Sequence, residues 1–160
     1  MSASVVIWMG SKSDLEHVSK IAAQLEDLGI AYQRRIASAH KSPRHVLDLI
    51  AQYESEPGPM VYITVAGRSN ALSGMLDANT TRPVIACPPY SSSFSGADIY
   101  SSLRMPSGVV PLVMLDPKGA ALAAAKMLAL SDPALGERIS AYQRVMTAAV
   151  TEADAELQAD

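Results

Sequence analysis

Five times along this chain, a short apolar run rich in β-branched residues gives way to a segment with apolar residues spaced three and four apart. That alternation limits the possible folds more than any other feature. Val5–Met9, Ile30–Ile36, Met60–Val65, Pro83–Cys87 and Val109–Leu115 are the expected strands. The first is apolar throughout and stops at Gly10, the pattern of a strand buried on both faces. From Asp14 the period changes. Leu15, Val18, Ile21, Ala22, Leu25 and Leu28 fall on one helical face, and Gly29 closes the segment. Pro43 suits the first turn of a second helix, with Val46, Leu47, Leu49, Ile50 and Tyr53 on its buried side. Short helices are expected from Ser69 to about Asn79 and over Ala97–Met105, and an alanine-rich one over Pro117–Leu130. Residues 54–59 and 88–96 read as loops. Strands alternating with helices predict an α/β fold with a mostly parallel sheet covered on both faces.

One element is left over. Pro133–Leu157 carries apolar residues at Leu135, Ile139, Tyr142, Val145, Met146, Ala149, Val150 and Leu157, a long amphipathic helix beyond the fifth unit. Its stripe is to pack on its own sheet or on a neighbouring subunit. The expected organisation is one catalytic domain over 1–160, with a core at about 5–130 and a C-terminal helix at about 133–157.

Composition narrows the function classes. With 49% hydrophobic and 18% charged residues, the chain is of the folded globular type. A net charge of −3 and the lack of a basic run argue against nucleic acid, so an anionic ligand must be held by a few local groups. Cys87 is the single cysteine, which excludes an intramolecular disulfide and a multi-cysteine zinc site and suits a reduced, cytoplasmic setting. The start, M1-S-A-S-V-V-I-W-M9, has neither the basic residues nor the cleavage pattern of a signal peptide. No apolar run reaches the roughly 18–20 residues of a membrane span, so no membrane partner is expected.

In an open parallel sheet, ligands bind at the carboxyl ends of the strands. Three stretches begin there: G10-S-K-S-D14, S38-A-H-K41 and A66-G-R-S-N-A-L-S-G74. All are rich in small residues and hydroxyls, which lets backbone N–H groups approach a phosphate. Each has a plainer reading. Ser11, Ser13 and Asp14 can cap the first helix. His40 can be an ordinary histidine, Lys41 a solvated charge, and Gly67 and Gly74 matters of backbone geometry. His17 and His45 fall inside expected helices and read as structural, and Cys87 as a core residue. No carboxylate pair has metal or glycosidase spacing, no Ser–His–acid set stands out, and no Walker lysine motif occurs. Taken together, the loops combine hydroxyls and Lys41 for a phosphate, Asp14 for ribose hydroxyls, and His40, the side-chain type most often used for acid–base work. That set fits an acid–base enzyme acting on a small phosphorylated, ribosylated substrate.

The motifs M9-G-S-K-S-D14, S38-A-H-K41, A66-G-R-S-N-A-L-S-G-M75, C87-P-P89 and A97-D-I-Y-S-S-L-R-M-P-S-G108 resemble the phosphoribosylaminoimidazole carboxylase family of purine biosynthesis, from about Val5 to Leu130. The family has two classes. A mutase moves a carboxylate from N5 to C4 of aminoimidazole ribonucleotide, and a direct carboxylase adds CO2 to that ring. Lys41 stands where mutases carry arginine, and the loop has Ala71 near the place of their histidine, so the chain resembles the direct class. The resemblance implies a flavodoxin-like three-layer α/β/α sandwich and a homo-oligomer, tetramer or octamer, with sites near subunit contacts. It implies His40 as the acid–base catalyst. Ser38 and Lys41 would lie toward the phosphate and Asp14 toward the ribose, with Ser11 serving either. Gly67 and Ser69 would line the site. The substrates implied are aminoimidazole ribonucleotide and CO2, with no cofactor and no metal. Two rivals from other classes are weaker. A flavodoxin-like binding module lacks ring-stacking partners in these loops, and a phospho-acceptor receiver domain lacks an acidic pair after the first strand.

Overall fold

A computed structural model describes residues 4–159. Residues 1–3, the beginning of the segment read for a signal peptide, and residue 160 lie outside the described residues. The strands are β1 (Val5–Met9), β2 (Tyr32–Ile36), β3 (Val61–Val65), β4 (Val84–Ala86) and β5 (Leu112–Val113). The helices are α1 (Leu15–Asp27), α2 (Pro43–Glu54), α3 (Ala71–Asp77), α4 (Tyr100–Leu103), α5 (Pro117–Ala129) and α6 (Pro133–Ala159). All strand pairs are parallel, in the order β2-β1-β3-β4-β5. This is the flavodoxin-like order, and the strand sequence reverses between β1 and β3.

Successive residues of a strand point to opposite faces, and here they feed two cores. Val5, Ile7 and Met9 of β1 pack with α1, α5 and the start of α6. Val6 and Trp8 pack with α2, α3 and Tyr62. Trp8, Tyr53 and Tyr62 meet edge to face, with ring centroids 5.5–6.4 Å apart. Such pairs add stability beyond burial alone. Val5 aligns with both Tyr32 and Val61, and Met9 with both Ile36 and Val65. Three strands therefore end level, and their following loops start at one height.

Several boundaries differ from expectation, each for a local reason. Ile30 does not begin β2, because its N–H donates to Leu25 O (2.9 Å) while Gly29 N–H donates to Glu26 O (2.9 Å). Those two bonds with Gly29 at φ 66° form a Schellman closure of α1. In β5, Val109 N–H bonds Pro106 O, Val110 N–H bonds Asp77 Oδ2 (2.6 Å), and Pro111 has no N–H. The ladder can start only at Leu112. Leu47, expected on the buried side of α2, is exposed, whereas Val46, Leu49, Ile50 and Tyr53 are buried. The helix expected from Ala97 begins as a 3-10 segment over Ser93–Ile99, and Phe94, Ser95 and Gly96 within it have left-handed backbones. α3 is also shorter than expected.

The extra helix behaves as two parts. Leu135 and Ile139 are buried against α5, and Arg138 Nε donates to Leu28 O at 2.9 Å. Beyond Tyr142 the stripe faces outward: Val145, Val150 and Leu157 are 61%, 70% and 74% exposed. Among the described residues, no helix is long and apolar enough to cross a membrane.

Candidate active site

Because β1, β2 and β3 end level, the loops that follow them close around one cavity of about 620 Å³. It lies where the strand order reverses, the usual ligand position in open α/β sheets. Ser11, Asp14, Ser38, His40, Lys41, Gly67 and Ser69 all line it.

The β1 loop is held by its own polar groups. Gly10 N–H donates to Val65 O (3.0 Å), tying the loop to β3. Asp14 Oδ2 accepts from Ser11 N–H (2.9 Å), and Ser11 Oγ accepts from Ser13 N–H (3.2 Å). This is a capping box. The plain capping reading of Ser11 and Asp14 therefore holds, and the same residues face the cavity. The β2 loop is a tight turn. Ser42 N–H donates to Ser38 O (2.8 Å), Ser38 N–H to Ser42 Oγ (3.0 Å), and Lys41 N–H to Ser38 Oγ (3.3 Å). These bonds spend the serines on the backbone and leave His40 and Lys41 exposed at the cavity edge.

The β3 loop is set by a close approach and a buried anchor. A Cβ on Gly67 would stand 3.4 Å from Pro89 Cγ, so a side chain there would press on the opposite wall. Asn70 is buried. Its N–H donates to Ser101 Oγ (2.9 Å), its Nδ2 to Ser102 Oγ (2.9 Å), and its Oδ1 accepts from Ser73 N–H (3.2 Å). One side chain thus caps α3 and pins the loop to α4. Gly74 is a packing glycine, since a Cβ there would lie 3.1 Å from Met105 Sδ.

Sequence reasoning placed no site residue on the fourth wall. Pro89, Tyr90, Ser91 and Ser93 complete the cavity from the loop after β4. The signal was present, because this loop also leaves the carboxyl end of a strand and opens with C87-P-P89. Arg68 lines the cavity as well. Tyr90 on this wall and the nearby Phe94 are 82% and 85% exposed. A second cavity of about 200 Å³ adjoins the first behind Pro89 and Tyr90.

Cys87 and His17 lie beneath the site. Cys87 is buried, and its thiol is pushed up to about 12 by burial and then by the Asp116 charge, so it stays protonated. Its Sγ is 3.3 Å from His17 Nε2. Burial and then Lys20 lower the imidazole pKa, against smaller raising effects from Cys87, Asp14 and Asp116. The contact ties the first turn of α1 to the residue that follows β4. Among the described residues, no three His, Cys, Asp or Glu side chains group as metal ligands.

This geometry can be set beside known proteins. The family model described as AIR carboxylase matches residues 4–149. The phosphoribosylaminoimidazole carboxylase of Archaeoglobus fulgidus is 55% identical over 153 residues, 96% of this chain and 84% of that one. The enzyme of the same name from Treponema denticola is 48% identical over 158 residues, 99% of each chain. A crystal structure of Treponema denticola PurE superposes with a TM-score of 0.94 at 49% identity, covering 96% of this chain and 97% of that one. Agreement in sequence along nearly the whole length, and in fold around one cavity at the switch point, shows that the chain belongs to the AIR carboxylase family.

Proposed function

We propose that the chain carboxylates 5-aminoimidazole ribonucleotide at C4 with CO2, giving 4-carboxy-5-aminoimidazole ribonucleotide, reversibly, in de novo purine biosynthesis. The observation that carries this reading is the single cavity that gathers hydroxyls, a lysine, a carboxylate and one histidine from three level loops. Ser38 and Lys41 hold the phosphate, Asp14 and Ser11 face the ribose, and Gly67 and Ser69 line the ring's side. The amino group pushes electron density to C4, whose electron pair attacks the carbon of CO2. C4 then carries both hydrogen and carboxylate. His40 takes the C4 proton, and the C–H electron pair restores the aromatic ring. In reverse, protonated His40 returns that proton to C4 and CO2 leaves. Positioning plus one proton transfer accounts for the chemistry.

Lys41 and the R68-S-N-A71 stretch favour CO2 over the N5-carboxylated compound as carbon source. The experiment is a label assay in bicarbonate with carbonic anhydrase. Starting from aminoimidazole ribonucleotide, C4 should acquire pool label at a rate that rises with dissolved CO2 at fixed pH. Supplied instead with the N5-carboxylated compound, the enzyme should show turnover only as fast as that compound sheds CO2 spontaneously. Efficient retention of the original carbon would make the chain a mutase.

The outward half of α6 supports a homo-oligomer, tetramer or octamer. Its exposed stripe of Val145, Met146, Val150 and Leu157 is the kind of surface that association covers. A chain ended after Gln143 keeps Leu135 and Ile139 in place. It should fold yet sediment as a smaller species than the full chain. An unchanged assembly after this truncation would remove α6 from the interface.

A further inference from the structure

Arg68 is the central residue of a three-residue turn in the β3 loop. Ser69 N–H donates to Gly67 O at 2.7 Å, and Arg68 has φ 60°. A turn of this kind at a residue with a side chain is strained, and glycine would adopt it more easily. Strain of this sort persists where the surroundings impose it, and it concentrates at ligand sites. The surroundings here are Gly67 against Pro89 on one side and buried Asn70, bonded to Ser101 and Ser102, on the other.

The strained residue is also a cation that forms no ion pair among the described residues. The ion pairs of the described residues are Lys20–Glu16 and Arg82–Glu54. Arg82 also binds three backbone carbonyls, Arg138 binds Leu28 O, and Arg35 binds Tyr53. Arg68 stands exposed on the cavity wall. Lys41 follows β2 and Arg68 follows β3, on either side of β1. Their backbones start from strands about 10 Å apart, two interstrand spacings. A phosphate seated on Ser38 and Lys41 leaves the guanidinium free for a second anion. A planar guanidinium fits a carboxylate better than a lysine would.

We infer that Arg68 binds the carboxylate carried on C4 of the ring, so that it discriminates the carboxylated ribonucleotide from the uncarboxylated one. The inference rests on the functional reading above, since it takes the cavity to hold that ribonucleotide. Arg68 would then hold the new carboxylate as it forms and, in reverse, orient it for loss as CO2. Lys41, His40, Asp14 and Tyr90 are the other ionisable side chains lining the cavity. Asp14 repels a carboxylate, which favours a seat on the Arg68 side.

The test is Arg68→Gly in the full chain, a change that suits the left-handed backbone, with Arg68→Lys as a second variant. Three quantities are read: the KM for decarboxylation of the 4-carboxylated ribonucleotide, the KM for the uncarboxylated ribonucleotide, and competitive inhibition by the neutral 4-carboxamide ribonucleotide. In Arg68→Gly the first should rise about 10-fold or more, roughly the loss of one charge-assisted hydrogen bond, while the other two stay within about twofold. Arg68→Lys should recover part of the loss. Equal weakening of all three would make Arg68 a phosphate or general binding residue, and no change in any would leave it without a role in binding; either result overturns the inference. Retention of carbon in the label assay would change the proposed reaction but not this result, because a mutase product carries the same carboxylate. A wild-type enzyme that turned over neither ribonucleotide would overturn both readings.

Discussion

Replacing His40 with asparagine should lower turnover by about 100-fold or more, the usual scale for a lost general base, with ribonucleotide binding largely kept. In the proposed reaction, carbon–carbon bond formation needs only proximity between CO2 and the electron-rich C4. Restoring aromaticity needs a base, and His40 is the only histidine on the cavity wall. Asparagine keeps much of the imidazole's size and polarity but cannot take a proton at neutral pH. Nothing buried depends on His40, which stands exposed on its turn, so the variant should fold as the parent does. The measurement is kcat in both directions beside calorimetric affinity for aminoimidazole ribonucleotide. Near-normal kcat would end the assignment. A lost affinity with kcat preserved would move His40 from proton transfer to binding.

Replacing Lys41 with methionine should weaken ribonucleotide binding by roughly 1.5–3 kcal/mol, the scale of a hydrogen bond to a charged group. That corresponds to about 10- to 150-fold in KM. A phosphate anchor far from the reacting carbon binds ground state and transition state alike, so kcat should change little. Methionine preserves the length of the side chain and removes only the charge. The Ser38–Lys41 turn does not use the lysine side chain, since Lys41 contributes its backbone N–H to Ser38 Oγ. The discriminating comparison is between the ribonucleotide and its dephosphorylated nucleoside. The nucleoside should bind the parent and the variant equally. If Lys41→Met weakened both compounds to the same degree, the lysine would not be reading phosphate.

Much of the fold is legible in the residues. β1 is uniformly apolar and β3 is so except for Thr64, because the sheet is covered on both faces, and all their residues are buried. Pro43 opens α2 and Gly29 closes α1, where backbone chemistry demands them. The three loops could be marked in advance because small residues and hydroxyls follow each strand. Arg68 shows the limit. Nothing in A66-G-R-S-N70 announces a left-handed arginine, because that backbone is imposed by Pro89 and by Ser101 and Ser102, about twenty and thirty residues away. The fourth wall lies between these cases: the loop after β4 leaves a strand end, a signal present in the residues, but that Tyr90, Ser91 and Ser93 meet the other three loops follows from where β4 lies.

By itself, the sequence determined which segments are strands or helices, how they are capped, and which side chains could do chemistry. Those properties follow from interactions a few residues apart: a 3.6-residue stripe, a capping serine, a proline at a first turn. Only the tertiary structure decided which loops meet. The strand order β2-β1-β3-β4-β5 places the β2 and β3 loops on either side of β1 and brings the β4 loop in as the far wall. It also decided that β5 shrinks to two residues, because Asp77 on α3 takes the N–H of Val110. And it decided that α6 leaves the body after Tyr142, since α5 and the end of α1 cover only its first turns. Local periodicity says that a face is apolar. Which surface covers that face depends on pairings between distant segments, and these are settled only when the whole chain closes on its two cores.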